Sequence, residues 1–349
     1  MSSLIENLEV SLRNTKQKWL ITGVAGFIGS NLLEYLLSAD QDVVGLDNFA
    51  TGQQSNLQEV KSKLVKRQWD RFEFIEGDIR NLEDCRKSLI GVDHVLHHAA
   101  LGSIPRSLKD PLETNEVNIS GFLNMLLSSR NIGLKSFVYA SSSSVYGNVE
   151  SAQMHEEQTG KQLSPYAVTK RANELYADVF SSFCDYKIIG LRYFNVFGPR
   201  QNAVSEYSAV IPRWIESMLR NKPVVINGGG DTSRDFCFVG NVVQANILAS
   251  LANEKITSNI FNVALNSQTS LSELYCLIKS QLEILGLQYE LTPVKAPYRD
   301  GDIRHSLADI DRIKEELRYE PRTTVATGLR ETVNWYVEHY QKSKLRECN

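Results

Sequence analysis

Six short apolar runs punctuate the first half of the chain: "WLITG" (19–23), "DVVGLD" (42–47), "FEFIEGD" (72–78), "HVLHHA" (94–99), "SFVYAS" (136–141) and "KIIGLR" (187–192). Helical patterns separate them, and this alternation constrains the fold more than any other feature. Parallel strands cannot be joined by a tight turn; they need a crossover, and a helix supplies it. "IGSNLLEYLLS" gathers Ile28, Leu32 and Leu36, with Leu33 and Leu37, on one helical face, and "NLEDCRKSL" and "TNEVNISGFLNMLLSSR" follow the same rule. We therefore expect an α/β architecture: a doubly wound parallel sheet with helices on both faces. After about residue 193 the texture changes. Gly, Pro and turn residues become frequent ("NVFGPRQN", "NKPVVINGGGDTSRD", "PVKAPYRDGD"), and the strands shorten. A smaller C-terminal α/β domain is expected there. Leu4, Leu8 and Leu12, four residues apart, predict an amphipathic helix over 3–16 that leans on the body of the protein.

Length agrees with that division, since 349 residues exceed one ordinary domain and suit two. A net charge of −3 with no basic stripe excludes a nucleic-acid surface, which requires clustered Lys and Arg. Cys85, Cys184, Cys237, Cys276 and Cys348 stand singly, with no CxxC pair. That pattern fits reduced thiols of a cytoplasmic protein and neither a disulfide frame nor a zinc site. No apolar run is long enough to span a membrane, and Glu6 and Glu9 stand where a signal peptide needs an apolar core.

"GVAGFIG" (23–29) joins the first strand to the first helix. Gly23 permits a tight turn, Gly26 lets the backbone approach a pyrophosphate, and Gly29 lets helix and strand pack closely, which is the Rossmann-type arrangement. The helix N-terminus then offers unpaired N–H groups to the phosphates. The second strand ends in Asp47, placed to accept from a ribose 2′-OH. No Arg follows at once to receive a 2′-phosphate, so NAD is expected as cofactor and not NADP. Asp78, closing the third strand, is placed to reach the adenine. His97 and His98 are neighbours on a strand and point to opposite faces, so they do not form a metal site, and no metal is expected.

A chemical centre is written in two places. "YASSSSVYG" (139–147) puts four serines at the tip of a core strand, and "SPYAVTK" (164–170) opens a helix on which Tyr166 and Lys170 lie four apart on one face. A tyrosine with an ordinary pKa of about 10 is a poor base at neutral pH. Lowering it by about three units takes about 4 kcal/mol of preference for the phenolate. One cation about 4 Å away in an effective dielectric near 20 offers that much. Lys170 and the nicotinium ring of oxidised NAD are the candidates. A serine at the end of strand five would share the proton path of the phenol.

With these motifs the chain resembles the extended short-chain dehydrogenases/reductases, and within them the NAD-dependent UDP-sugar 4-epimerases, most of all those of bacterial surface-polysaccharide pathways that act on UDP-N-acetylglucosamine and UDP-N-acetylgalactosamine. The resemblance runs over about residues 19–340 and is carried by "TGVAGFIG", "LDNFATG", "GDIR", "HHAALGS", "SSSSVYG", "SPYAVTK", "LRYFNVFGPRQ", "SRDFCFV" and "RDGDIRHS". It implies an NAD-binding domain over 1–192, to which 236–264 returns, and a UDP-sugar-binding domain over 193–349. It implies Ser142 and Ser143 at the catalytic serine position, with Ser144 beside them, and Tyr166 and Lys170 as base and partner. Around the cofactor it implies Gly23, Gly26, Phe27, Ile28, Gly29, Asp47, Asn48, Phe49, Thr51, Gly52, Asp78, Ile79, His98, Ala99, Ala100, Asn118 and Tyr193. Dehydratases of the family carry an Asp-Glu pair just before "VYG", and the related decarboxylases a Glu. Here Ser143 and Ser144 stand there, so the tetrad reads as a hydroxyl cradle for reversible redox at one carbon.

For the sugar nucleotide, the resemblance implies Arg234 and Arg299 as diphosphate contacts, Asp302 at the ribose, Asn195 near the phosphates, and the "VVIN" strand with Val225 and Asn227 at the uracil. Gly102, Ser103, Gln201, Ala209, Val210 and Ser306 would line the hexose space, with Ser142 and Ser143. Members restricted to glucose and galactose have a Tyr in the place of Ser306, which fills the room of a 2′-acetamido group. The expected reaction is interconversion of UDP-N-acetylglucosamine and UDP-N-acetylgalactosamine through a transient 4-keto sugar, with NADH held between the two hydride transfers and UDP-glucose/galactose as secondary substrates. A UDP-uronic acid 4-epimerase is the enzymatic alternative, with Arg304 or His305 to meet the carboxylate. A catalytically silent NAD-sensing scaffold is the non-enzymatic one. A homodimer is expected through helices near 115–130 and 166–183, using Val117, Phe122 and Leu126 on one and Leu175, Val179 and Phe183 on the other.

Overall fold

The computed structural model describes residues 12–203, 208–252, 256, 259–298 and 304–347. Its centre is a seven-stranded sheet. β1 (Lys18–Thr22), β2 (Asp42–Asp47), β3 (Phe72–Glu76), β4 (His94–His97), β5 (Ser136–Ser142), β6 (Lys187–Tyr193) and a seventh strand, Ile260–Val263, lie in the order seventh–β6–β5–β4–β1–β2–β3. Every pairing is parallel. The strand order reverses between β1 and β4, which opens a crevice at the carboxyl ends of these two strands. Register brings Thr22 opposite His97, His97 opposite Tyr139, and Ser142 opposite Tyr193, so the strand ends form one rim.

Both faces of the sheet are covered. On one side, helix Phe27–Ser38 and helix Val239–Ser250 bury Leu32, Leu33, Leu36, Val242, Val243 and Ile247 against Trp19, Ile21, Leu96 and Val138. On the other, Cys85, Phe122, Met125, Leu126 and Ala177 close over Leu20, Val95, Phe137 and Tyr139. Helix Val239–Ser250 is buried around nearly its whole circumference, which a helix sandwiched between two bodies requires. It lies on the sheet with one face, while Val239 and the preceding Phe238 join a second core. That core gathers helices Val210–Leu219, Leu271–Ile284 and Val325–Glu347 around Phe197, Trp214, Phe236 and Tyr289. Ala308, Ile310, Ile313 and Leu317 also pack on the sheet core, a return that the sequence did not signal. Of the predicted N-terminal helix only its end lies within the described residues: residues 12–14 are helical, and Leu12 is buried and accepts a bond from Gln41.

One expectation about surfaces is corrected. Phe122 and Leu126 do not face outward; both are fully buried against the sheet, because their helix lies on it. Leu175, Val179 and Phe183 are exposed, by 53%, 54% and 70%, and form an outer stripe with Val168 and Tyr176.

Candidate active site

The glycine turn is shaped by steric necessity. Gly23 has φ +70°, and a Cβ there would lie 2.8 Å from the amide nitrogen of Ala99. A Cβ on Gly29 would lie 2.2 Å from the carbonyl oxygen of Gly23. The helix Phe27–Ser38 therefore starts directly against the end of β1, and no side chain caps its first N–H groups. A dinucleotide phosphate is the chemical group such an end accepts.

Two adjoining cavities run along the rim of the sheet. The first is lined by Gly23, Gly26, Asp47, Asn48, Thr51, Asp78, Ile79, His98, Ala99 and Ala100, among others. The second begins on the same glycines and is lined by Phe27, Ile28, Gly29, Thr51, His98, Ala100, Gly102, Ser142, Tyr166, Lys170, Tyr193 and Gln201. They share Gly23, Gly26, Thr51, His98 and Ala100, which makes one trough from Asp78 to Tyr166. This length and this donor set fit NAD: a carboxylate at the ribose end, bare helix N–H groups at the pyrophosphate, and a tyrosine-lysine pair where the nicotinamide would lie.

The residues of the trough and those behind it are held by a network of bonds. Asp47 accepts from the amides of Ala25 (2.9 Å) and Phe49 (2.8 Å); burial nonetheless pushes its carboxyl up. Phe49 packs on Phe74, and a Cβ on Gly52 would touch Asp47, so these two shape the ribose loop. Asp78 is held by Asn48 (2.9 Å) and Arg80 (2.7 Å); against the effect of burial, Arg80 keeps its carboxyl below the usual range. Asn118 spends its amide on Leu101 and on Thr169 (3.1 Å), bracing the loop after β4 against the tyrosine helix. Thr22 does the same for His98 and Ala99, whose amides donate to its hydroxyl at 3.1 Å. The role of Thr22 was not visible in the sequence.

Tyr166 and Lys170 owe their place to helix Pro165–Ser181, which is capped by Ser164 through the amide of Ala167 and begins with proline at its first position. Ser142, at the tip of β5, lines the trough beside Tyr166, where its hydroxyl favours the ionised phenol, and accepts from the Ser144 amide at 3.1 Å. Ser143 lies in the short turn Ser143–Tyr146, half-buried, and neither it nor Ser144 is among the residues lining the trough. Ser141 faces the other way and bonds Glu174 at 2.7 Å, which in turn grips Arg192 at 2.8 Å. This buried ion pair ties β5, β6 and the tyrosine helix together.

Burial raises the Tyr166 pKa above its ordinary value, and the Ser142 hydroxyl offsets only part of that. Lys170 points its ammonium at the carbonyl of Ala140 (2.8 Å), 5.9 Å from the phenol ring centre, and burial lowers its pKa to about 8. Lys170 is thus directed at the strand and not at the phenol oxygen. His98 bonds the hydroxyl of Tyr193 at 2.9 Å, and burial lowers its pKa to about 4, so it is a neutral ring against the trough.

A third cavity continues on the far side of Gln201 and Val196, lined by Ser103, Asn195, Phe197, Ala209, Val210 and Phe236 among others. Beyond it, residues 233–234, 269–270 and 305 form a small ribbon. Arg234 donates there to the carbonyls of Ser233 (2.9 Å) and Arg304 (3.1 Å). The Ser306 amide bonds Ser233 at 3.2 Å. Val225 and Asn227 sit on a strand paired with Val294–Ala296. Among the described residues none of these four lines the trough or the third cavity. Arg299 and Asp302 lie outside the described residues. Asp235, fully buried, anchors this end by accepting from the amides of Leu265 (2.9 Å), Ser267 (3.3 Å) and Ala308 (3.3 Å); burial pushes its carboxyl up to about 6. No group of metal ligands occurs among the described residues, and no helix among them is long and apolar enough to cross a membrane.

Comparison with known proteins agrees with this geometry. Residues 19–264 match the model of the NAD dependent epimerase/dehydratase family. A putative UDP-glucose 4-epimerase of Methanocaldococcus jannaschii is 32% identical over 318 residues, covering 90% of this chain and 97% of the relative. The solved UDP-N-acetylglucosamine 4-epimerase of Methanobrevibacter ruminantium, in complex with UDP-N-acetylmuramic acid, superposes with a TM-score of 0.82 at 34% identity, over 93% of this chain and 99% of that one. The UDP-glucuronic acid 4-epimerase of Bacillus cereus, with UDP-glucuronic acid and NAD, superposes with a TM-score of 0.80 at 31% identity, over 93% and 100%.

Proposed function

We propose, since the chain belongs to the NAD dependent epimerase/dehydratase family, that this NAD-dependent UDP-sugar 4-epimerase interconverts UDP-N-acetylglucosamine and UDP-N-acetylgalactosamine for surface polysaccharide synthesis. The observation that carries the acetamido preference is the open wall beside the reacting groups. Gly102 lines the same cavity as Ser142 and Tyr166, and a Cβ added to it would meet nothing within 4 Å. Ala209, on the continuing cavity, is also small.

In this reading Tyr166 takes the proton of the 4′-OH, and Ser142, beside the phenol, relays it. NAD, when bound, supplies the hydride acceptor and a positive charge beside the phenol. Lys170 adds its charge from the Ala140 carbonyl. The keto sugar must then show its other face to the same groups while its diphosphate stays held, for which Arg234 and Arg299 are the proposed anchors, Asp302 and Asn227 the nucleoside contacts, and Ser306 part of the hexose wall. Residues 1–192 with 236–264 hold the cofactor; the remainder holds the sugar nucleotide.

A UDP-uronic acid is disfavoured by charge. Lys170 is the one cation among the described residues lining the trough's nicotinamide end and the third cavity, and it is committed to Ala140. Arg304 stacks on Tyr298, and His305 bonds Ser233, so neither candidate partner for a carboxylate faces the reacting groups. The outer stripe of Val168, Leu175, Tyr176, Val179 and Phe183 supports pairing with a second copy as a homodimer. The unpaired Cys85, Cys184, Cys237 and Cys276 suit a reducing cytoplasm. Incubating pure protein separately with UDP-N-acetylglucosamine, UDP-glucose and UDP-glucuronic acid, and resolving the products, tests the assignment. The acetamido sugar should show the highest kcat/KM; fastest turnover of the glucuronate would overturn it.

A further inference from the structure

Gln201 holds an unusual place. It is the one residue shared by the nicotinamide end of the trough, the third cavity and an outer cleft lined by Gln53, Asn56, Arg220, Trp335 and His339 among others. Its amide donates to the Val196 carbonyl at 3.0 Å, which fixes the side chain's orientation, and its own oxygen is buried with no hydrogen-bond partner among the described residues. Gln201 thus stands where a turning sugar would have to pass.

The preceding residue explains what holds it there. Arg200 has a 1% exposed side chain and a left-handed φ of +68°, a conformation a non-glycine residue keeps only when its surroundings impose it. Its guanidinium is fully engaged: Nε with Ser30 (3.1 Å), Nη2 with Asn31 (2.7 Å), and Nη1 with Glu34 (2.6 Å) and Glu59 (3.2 Å). Ser30, Asn31 and Glu34 belong to the helix that begins at the glycine turn. Glu59, on helix Gln54–Lys63, collects Lys63, the indole N–H of Trp335 (2.9 Å) and Nε2 of His339 (3.0 Å). Against burial, these bonds and charges hold its carboxyl at about 2. His339 also bonds the Trp335 carbonyl through Nδ1, so both ring nitrogens face acceptors. From the C-terminal helix the Tyr336 hydroxyl donates to the carbonyl of Gln201 itself.

We propose that Arg200 is a positioning residue for the sugar-turning step. It locks Gln201 between the cofactor helix and the C-terminal helix, so that Gln201 lines the sugar's path in a fixed place while both faces of the sugar are presented in turn. This rests on the epimerase reading above. A group displaced by a fraction of an ångström loses rate more than ground-state binding.

The test measures Arg200→Gln and Tyr336→Phe in the holoenzyme. The expected result for Arg200→Gln is a fall in kcat of about tenfold or more, with the calorimetric affinity for UDP within about twofold of the parent. During turnover a larger fraction of the nicotinamide should stand reduced, because the keto sugar waits longer for its second hydride. Tyr336→Phe, which removes one hydroxyl, should move the same quantities in the same direction by about threefold; it keeps the test decisive if Arg200→Gln does not fold. Unchanged kcat in a folded variant, or a loss of UDP affinity matching the loss of kcat, would overturn the proposal. A parent that epimerises no UDP-sugar would instead overturn the epimerase reading, and the proposal with it.

Discussion

The cofactor half and the sugar half reach comparable burial by different means. In the first, residues of the site sit at successive strand ends or in one turn, and the backbone does most of the holding: Gly23 against Ala99, Asp47 on two amides, Thr22 beneath two more. In the second, the cavity draws on segments 103–105, 195–201, 209–211 and 236, far apart in sequence, and the neighbouring ribbon is held by long-range contacts such as Asp235 with Leu265 and Ala308. A rigid rim thus faces an assembled wall.

The comparison can be broken first at the seam where the halves meet. Tyr166→Phe should lower kcat by about a thousandfold while affinities for NAD and UDP stay near the parent's; near-parental epimerisation would remove the phenol from the chemistry. On the rigid side, Gly29→Ala places a methyl 2.2 Å from the Gly23 carbonyl. The purified variant should carry little NAD, read from the absorbance of the denatured protein's supernatant, and full retention would show that the turn yields. On the assembled side, Arg234→Ala should weaken UDP about ten- to hundredfold by calorimetry with NAD content unchanged; loss of NAD instead would mean that the halves are not separable.

The smallest effect concerns stability alone. Burial holds His94, stacked on Trp19 far from the rim, at about 4 against an ordinary 6.5. Its unfolded form takes a proton first as pH falls, so the fold keeps this contribution above about pH 6.5 and loses it on acidification towards about pH 4. His98 behaves alike, and Asp235, raised to about 6, works the other way between its ordinary value of 3.8 and that point. Between about pH 7 and about pH 5, His94 accounts for about 2 kcal/mol. Thermal unfolding at both pH values should show a smaller acid loss in His94→Gln than in the parent, with kcat unchanged; equal losses would mean that His94 is not held neutral.

Much of the cofactor site was legible because its spacing is local. Three glycines, a strand-end aspartate, and Tyr166 with Lys170 one helical turn apart each state their geometry within a few residues. The surface expectation failed at Phe122 and Leu126 for a related reason. Helical periodicity says that a face is apolar without saying whether a sheet or a second molecule covers it. Which of the two cations acts on Tyr166 was not legible, since the direction in which Lys170 points depends on the carbonyl of Ala140, which β5 brings to it from 30 residues upstream.

By itself, then, the sequence determined the alternation of strand and helix, the parallel sheet, the glycine turn and the placing of Tyr166 and Lys170 on one helical face, because each follows from steric or periodic rules acting over one or two turns of chain. Only the tertiary structure decided that Arg200 would be encased by Ser30, Asn31, Glu34 and Glu59, that Trp335 and His339 would close on the same carboxylate, and that Gln201 would stand where three cavities meet. Those contacts join residues up to 276 positions apart. No local pattern encodes them; they exist because two separately packed cores share one seam, and the polar groups buried along it must satisfy one another.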